Sequence, residues 1–205
     1  MTATTLSCGG LFTNANSYQK HFQTAMVKVK VGSKETFYAH EGILSKSVFF
    51  ERALNGEFLE ATTREVLLPD DEPEIFSSVL EYLYSEEYAP RLGFSKTVKK
   101  IVDQYRTPQS IESTFQTLPC IFGSTPKSED IALAALRHAK IYCLADKLEL
   151  KGLQALVITK LRLCGPLAGV DFLTVASYLL QNSYDFDGSL GRFLSSYVSG
   201  IPKQT

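Results

Sequence analysis

The chain has 205 residues, of which 44% are hydrophobic, and a formal net charge of −1. This length and apolar content suit one ordinary globular domain with or without an appendage, and the small net charge argues against general electrostatic binding to nucleic acid or an anionic membrane. Four cysteines, Cys8, Cys120, Cys143 and Cys164, lie far apart and form no CxxC pair, so we predict reduced thiols and no disulfide or metal framework. The sequence shows no secretory signal and no apolar run long enough to span a bilayer, and we expect a cytosolic or nuclear protein without a cofactor.

Residues 1–24 are rich in Thr, Ser, Asn and Gly and show little apolar periodicity, so we predict a flexible tail there. From Met26 the sequence MVKVKV alternates apolar and charged side chains, a pattern that predicts a strand with one buried face. Gly32-Ser33-Lys34 has the composition of a turn and precedes a second half-buried strand, Glu35 to His40. The two strands are therefore predicted to form a hairpin.

Two short helical patterns follow the hairpin, and a third strand is predicted at Glu65 to Leu68. Ser47 precedes the second helical pattern, where its hydroxyl is suited to cap the first turn of a helix. Gly56 follows that pattern, and we expect it to end the helix in a left-handed conformation. Asp71 and Glu74 lie at the start of a longer helix with one broad apolar face, and we predict that Asp71 caps this helix.

Residues 86–127 lose this periodicity and contain many Pro, Gly, Ser and Thr residues, so we predict a long insertion with little fixed structure. A helical pattern resumes at Ser128, and its many small residues would let a neighbouring helix approach closely. The next helix is expected to stop at Gly165-Pro166. Two further amphipathic stretches, Val170 to Leu180 and Leu190 to Val198, predict a helical carboxyl-terminal region.

A search for catalytic motifs finds no GxSxG, no phosphate-binding loop, no GxGxxG after a strand and no HExxH. His21 lies near the predicted tail, His40 at a strand-to-helix turn and His138 on the apolar side of a helix, settings in which a lone histidine is usually structural. We therefore predict no catalytic residue and no enzyme activity. A small enzyme that uses His40 or His138 is an alternative, and it requires a pocket that holds one of them beside an exposed nucleophile.

Four motifs in order carry a family resemblance: F-x-A-H, x-x-I-L-S-x-S, F-x-x-A-L-x-G-x-F-x-E and V-x-L-P-D-D, which together extend from Phe37 to Asp71. They resemble the BTB/POZ domain in the form found in small fungal proteins, and the resemblance covers about residues 25–89 and 128–164. It implies an α+β fold in which a small three-stranded sheet is flanked by helical hairpins. The domain would extend over residues 25–164, with the insertion at 86–127, and residues 165–205 would form a helical extension.

The resemblance implies a role in protein–protein interaction, commonly self-association through the first helix and its surroundings. That helix is predicted at Glu41 to Lys46. Ile43 and Phe49 are the apolar positions expected nearest to a dimer interface, although packing in the core accounts for them equally well. Leu44 and Phe50 match positions that are buried in the family.

Two positions depart from the family pattern. Many relatives have an Asp just before the first strand and a basic residue after the histidine, whereas this chain has Ala25 and Glu41. The charged pocket that such residues form in some relatives is therefore in doubt here.

The alternative that the resemblance offers is a substrate adaptor of a cullin-RING ubiquitin ligase. The corresponding motif is an apolar residue, any residue and Glu after the second short helix, and this chain has Phe58-Leu59-Glu60 there. An exposed apolar side chain beside an acid suits a groove with a basic rim, but Phe58 can equally fold inward. Tyr84 lies where relatives also contact the cullin, although burial is the other interpretation for it. The predicted partners are thus proteins, either a second copy or a cullin, and neither nucleic acid nor a membrane.

Overall fold

The chain divides into two compact units, Met1–Asp70 and Asp71–Thr205. The computed structural model describes residues 20–33, 35–89, 128–164, 167, 169–184 and 188–200. Most of the predicted tail and of the predicted insertion thus lies outside the described residues.

The first unit consists of a small sheet and three short helices. Its elements are β1 Met26–Val31, β2 Glu35–His40, α1 Glu41–Leu44, α2 Val48–Asn55, α3 Leu59–Thr63 and β3 Glu65–Leu68. The strand order is β2-β1-β3, in which β1 pairs antiparallel with β2 and parallel with β3. The predicted hairpin and the predicted third strand are both confirmed.

The alternating sequence of β1 gives the sheet one buried and one exposed face. Val27, Val29 and Val31 are completely buried, as the period of two in a strand requires. On the other face, Lys28 lies opposite Glu65 of β3 and its Nζ atom is 3.2 Å from the Glu65 carboxylate. Lys30 pairs with the same carboxylate, so the lysines of β1 form ion pairs across the parallel strand pair.

The ends of α2 show one confirmed prediction and one that was wrong. The Phe50 N–H group donates to Ser47 Oγ at 3.4 Å, so Ser47 is the predicted cap. Gly56 does follow α2, but its φ of −82° and ψ of −175° are extended and not left-handed. A Cβ atom at Gly56 would lie only 2.7 Å from the Arg52 carbonyl oxygen and 2.8 Å from Phe58 Cδ2. Glycine is therefore needed for space at this position, since its φ is one that any residue adopts.

The second unit is helical in its described part. Its helices are α4 Pro73–Ser85, α5 Ser128–Lys147, α6 Lys151–Leu163, α7 Gly169–Asn182 and α8 Ser189–Gly200. The long α5 contacts α4, α6 and α7. Its alanines Ala134, Ala135, Ala139 and Ala145 are all buried, which confirms that small residues allow neighbouring helices to approach.

The prediction that Asp71 caps α4 was wrong. The residue before α4 is Glu72, and no side chain caps this helix. The Asp71 carboxylate instead lies 2.6 Å from Lys147 Nζ, and the Glu72 carboxylate lies 2.5 Å from Lys140 Nζ. The two acids thus pair with lysines of α5 because an ammonium group within reach competes with the backbone N–H groups of α4 for the carboxylates.

Candidate functional site

Residues 41–64, which connect β2 to β3 and contain α1, α2 and α3, are anchored at both ends on the start of β1. The Glu41 N–H group donates to the Ala25 carbonyl at 2.8 Å, and the Lys28 N–H group donates to the Arg64 carbonyl at 2.9 Å. Because β2 is antiparallel and β3 is parallel to β1, the end of β2 and the start of β3 lie at the same end of the sheet. The segment therefore leaves this end of the sheet and returns to it.

Arg64 adds a side-chain connection between the two ends of this segment. Its φ of 53° is left-handed, and it ends α3. Its Nη1 atom is 2.6 Å from the Glu41 carboxylate and 3.4 Å from the Leu54 carbonyl oxygen. Glu41, one of the two departures from the family pattern, thus contacts Arg64, a residue that no sequence motif singles out.

The residues before β1 contact the beginning of α1. Thr24 Oγ1 accepts a hydrogen bond from the Gly42 N–H group at 2.9 Å and donates to the His21 carbonyl at 2.7 Å. A Cβ atom at Gly42 would lie 3.0 Å from both the His21 ring and the Thr24 methyl group. The His40 ring contacts the edge of Phe22 with a centroid distance of 5.3 Å. Residues 20–24, which we assigned to the tail, therefore pack against α1.

The predicted interface residues of α1 and α2 differ in exposure. Ile43 is completely buried, as are Leu44 and Phe50, so core packing accounts for Ile43. Phe49 is half-buried, and its ring meets that of Phe50 edge to face at 5.3 Å. Of the two candidates, Phe49 is the one that a partner can contact without rearrangement of the core.

The Phe58-Leu59-Glu60 motif lies at the start of α3, and α3 packs against α2. The Phe58 and Leu59 side chains are 63% and 74% exposed, and Glu60 is half-buried. Phe58 therefore does not fold inward. Two neighbouring helices of the first unit thus carry Phe49 and the motif, whereas Tyr84 lies in α4 of the second unit and is half-buried.

His138 belongs to a buried polar cluster in the second unit. Its Nδ1 atom is 2.7 Å from the Tyr88 hydroxyl, and the ring is 2% exposed. Burial, with a smaller contribution from the Lys160 charge, lowers the His138 pKa to about 3. The Lys160 ammonium is itself buried, 2.5 Å from the Glu87 carboxylate and 3.0 Å from the Tyr88 carbonyl. This cluster holds the chain that leaves α4 against α5 and α6. Sequence reasoning missed Tyr88 and Lys160, because no motif contains them.

The thiols in the described part are Cys143 and Cys164, and both are free. Burial raises the pKa of Cys143 to about 12 and that of Cys164 to about 11. Within the described ranges, no group of three or more His, Cys, Asp or Glu residues is placed to hold a metal ion. None of the helices that the structure describes is long and apolar enough to cross a membrane.

A comparison with family models matches residues 15–119, just over half of the chain, to the BTB/POZ domain. The chain belongs to the BTB/POZ domain family. A search of curated proteins finds no match to it. Membership confirms the resemblance, and with the mixed three-stranded sheet and its helices it confirms the α+β BTB/POZ fold. The match begins before residue 25, the predicted start of the domain, and ends before residues 128–164. BTB/POZ domains are protein–protein interaction modules, so this chain contains such a module.

The buried His138 predicts acid sensitivity of the BTB/POZ protein. Its pKa is about 3 in the folded state and 6.5 in an unfolded chain, so between these values the unfolded state binds the additional proton and stability falls as the pH is lowered. From pH 5.5 to pH 4 this one group should reduce the free energy of unfolding by about 1.3 kcal/mol per pH unit. Urea denaturation at several pH values measures the slope.

His138→Asn is the matched control, since it keeps a polar atom near Tyr88 but does not titrate. Its curve of stability against pH should be shallower than that of the wild type by this amount, because all carboxylates contribute equally to both curves. Parallel curves for the two proteins would show that His138 is not held neutral.

Proposed function

We propose that this BTB/POZ protein acts without catalysis, by binding another protein, in the first instance a second copy, through the surface of α1, α2 and α3. The observation that carries the proposal is the half-buried aromatic side chain of Phe49 on a segment whose two ends are hydrogen-bonded to Lys28 of β1 and to Ala25 just before it. Aromatic side chains that fill a partner's pocket contribute strongly to protein interfaces. An anchored segment presents such a side chain at a low cost in conformational entropy.

The charges beside Phe49 are compatible with a second copy. Glu51 and Arg52 follow it on α2, and both are exposed. In a two-fold symmetric interface the same patch occurs on both partners. A patch that carries one acid and one base next to an apolar centre can therefore pair opposite charges when it meets itself, which favours self-association over repulsion.

Light scattering of the purified chain tests this proposal. The wild type should have about twice the mass of the 22.8 kDa chain, and Phe49→Asp should give the mass of a monomer because a carboxylate cannot be buried there without a partner. Tyr38→Asp is the control, since Tyr38 is a 62% exposed aromatic residue of β2 in the sheet, and this variant should keep the wild-type mass. A monomeric wild type would contradict self-association, and a dimeric Phe49→Asp variant would show that Phe49 does not lie in the interface.

A second candidate function is that of a substrate adaptor that binds a cullin scaffold. The exposure of Phe58 and Leu59 beside Glu60 favours it, since this is the arrangement that a groove with a basic rim accepts. In α7, Val170, Leu173 and Leu180 are 77%, 66% and 62% exposed. We propose that this helix of the carboxyl-terminal extension adds a further apolar surface for such a scaffold.

A cullin pull-down with purified variants tests the adaptor function. Phe58→Ala and Glu60→Lys should each abolish capture, because the first removes the apolar contact and the second places a cation against a basic rim. Glu57→Lys makes the same change of charge at an exposed position just outside the motif and should leave capture intact. Capture that is unchanged by Phe58→Ala and Glu60→Lys would exclude a direct role for the motif.

A further inference from the structure

The second unit contains an open groove of about 470 Å³ between α6 and the start of α8. Its lining includes three positively charged residues, Lys151, Arg162 and Arg192, and none of the described residues that line it carries a negative charge. Ala155, which is exposed, supplies an apolar surface within it, and the largely buried Ile158 adds its 9% exposed fraction. The groove thus combines concentrated positive charge with apolar contact area in a chain whose net charge is −1.

The cations reach the groove from two helices. Lys151, Ala155 and Arg162 are spaced so that they share one face of α6, since residues four and eleven positions apart lie close together around a helix. Arg192 lies in the first turn of α8, and its Nε atom donates to the Gly188 carbonyl at 3.2 Å. The packing of α6 beside the start of α8 therefore brings together charges that are far apart in the sequence.

Two contacts position the groove's cations on α6. The Arg162 guanidinium lies 5.9 Å from the centroid of the Phe193 ring, which is itself buried. Lys151 Nζ is 3.9 Å from the Asp146 carboxylate, which also accepts hydrogen bonds from Gln154 Nε2 at 2.9 Å and the Tyr184 N–H group at 2.8 Å. Because Asp146 shares its charge among these donors, it offsets the field of the groove only in part.

We infer that this groove binds an acidic side chain of a peptide segment from a partner protein, with an adjacent apolar side chain of the peptide on Ala155 and Ile158. Guanidinium groups bind carboxylate and phosphate oxygens especially well, because their paired N–H donors match these oxygens. A nucleic acid or an anionic membrane would require a broader basic surface than three cations in one groove. The inference goes beyond the proposed function, because the groove belongs to the second unit and not to the helices of the first.

Fluorescence anisotropy with a fluorescein-labelled hexaglutamate peptide and the full chain tests the inference at low salt. The wild type should bind the peptide, and Arg162→Glu/Arg192→Glu should weaken binding by about tenfold or more, since the charge at both arginine positions is reversed. Arg162→Lys/Arg192→Lys should lose less binding than the double glutamate variant, because it keeps the charge but not the paired N–H donors of the guanidinium groups. Circular dichroism verifies that each variant is folded.

Lys20→Glu/Lys46→Glu is the matched control, because it makes the same change in net charge at two exposed lysines of the first unit. An equal loss of binding in this control would show that net charge and not the groove attracts the peptide, and would overturn the inference. Failure of the wild-type chain to bind hexaglutamate would also overturn the inference.

Two further probes separate a peptide from other sources of negative charge. A phosphoserine-containing peptide should compete with hexaglutamate, whereas inorganic phosphate at the same concentration should compete more weakly, because one small ion offers a single anionic group to the three cations of the groove. If inorganic phosphate competes as strongly as the peptides, the groove is a site for small anions only, and the inference is overturned. Tighter binding to phosphatidylserine vesicles than to either peptide, lost in Arg162→Glu/Arg192→Glu, would overturn the inference in favour of a membrane.

Discussion

The architecture of the first unit depends on how residues 41–64 are attached to β1. Because β1 lies between its two neighbours, the end of β2 and the start of β3 are separated by two strand spacings, on the order of 10 Å, at the same end of the sheet. The hydrogen bond of Lys28 to Arg64 fixes one end of the segment on β1, and that of Glu41 to Ala25 fixes the other end on the residue just before β1. The three helices must therefore pack compactly at that end of the sheet. They carry Phe49 and the Phe58-Leu59-Glu60 motif, through which we propose that the domain binds its partners.

The second unit is held together differently. Its central helix α5 is lined with buried alanines, and the burial of apolar side chains from α4, α6 and α7 around it supplies most of the stabilisation. One polar cluster is placed inside this core, where Tyr88, His138, Lys160 and Glu87 satisfy one another. Such a cluster contributes less to stability than to specificity, since each member would be costly to leave without its partners.

Much of this fold follows from local pattern. The alternation of MVKVKV predicts the first strand, and the hydroxyl of Ser47 before an apolar pair predicts the helix cap. The periodicity of the later segments predicts the helical region, and the ordered motifs predict the family. The errors arise where tertiary contacts decide. Asp71 pairs with a lysine that is distant in sequence, and Arg64 and not Gly56 adopts the left-handed conformation. For Ile43 the sequence left core packing and a dimer interface open, and its burial agrees with core packing. The basic groove could not be predicted either, because Arg162 and Arg192 meet only after α6 and α8 have packed.

Residues 41–64 can present a fixed surface to a partner only if the segment is held closed at its two ends, and hydrogen exchange measures this most directly. Arg64→Met keeps the length of the side chain and the cost of a positive φ, but it removes the guanidinium that pairs with Glu41. For a partly exposed ion pair we expect exchange of the amides in residues 41–64 to accelerate by about two- to fivefold, while the amides of the β1–β2 ladder keep their protection. Unchanged exchange throughout 41–64, or an equal acceleration across the whole first unit, would contradict the claim.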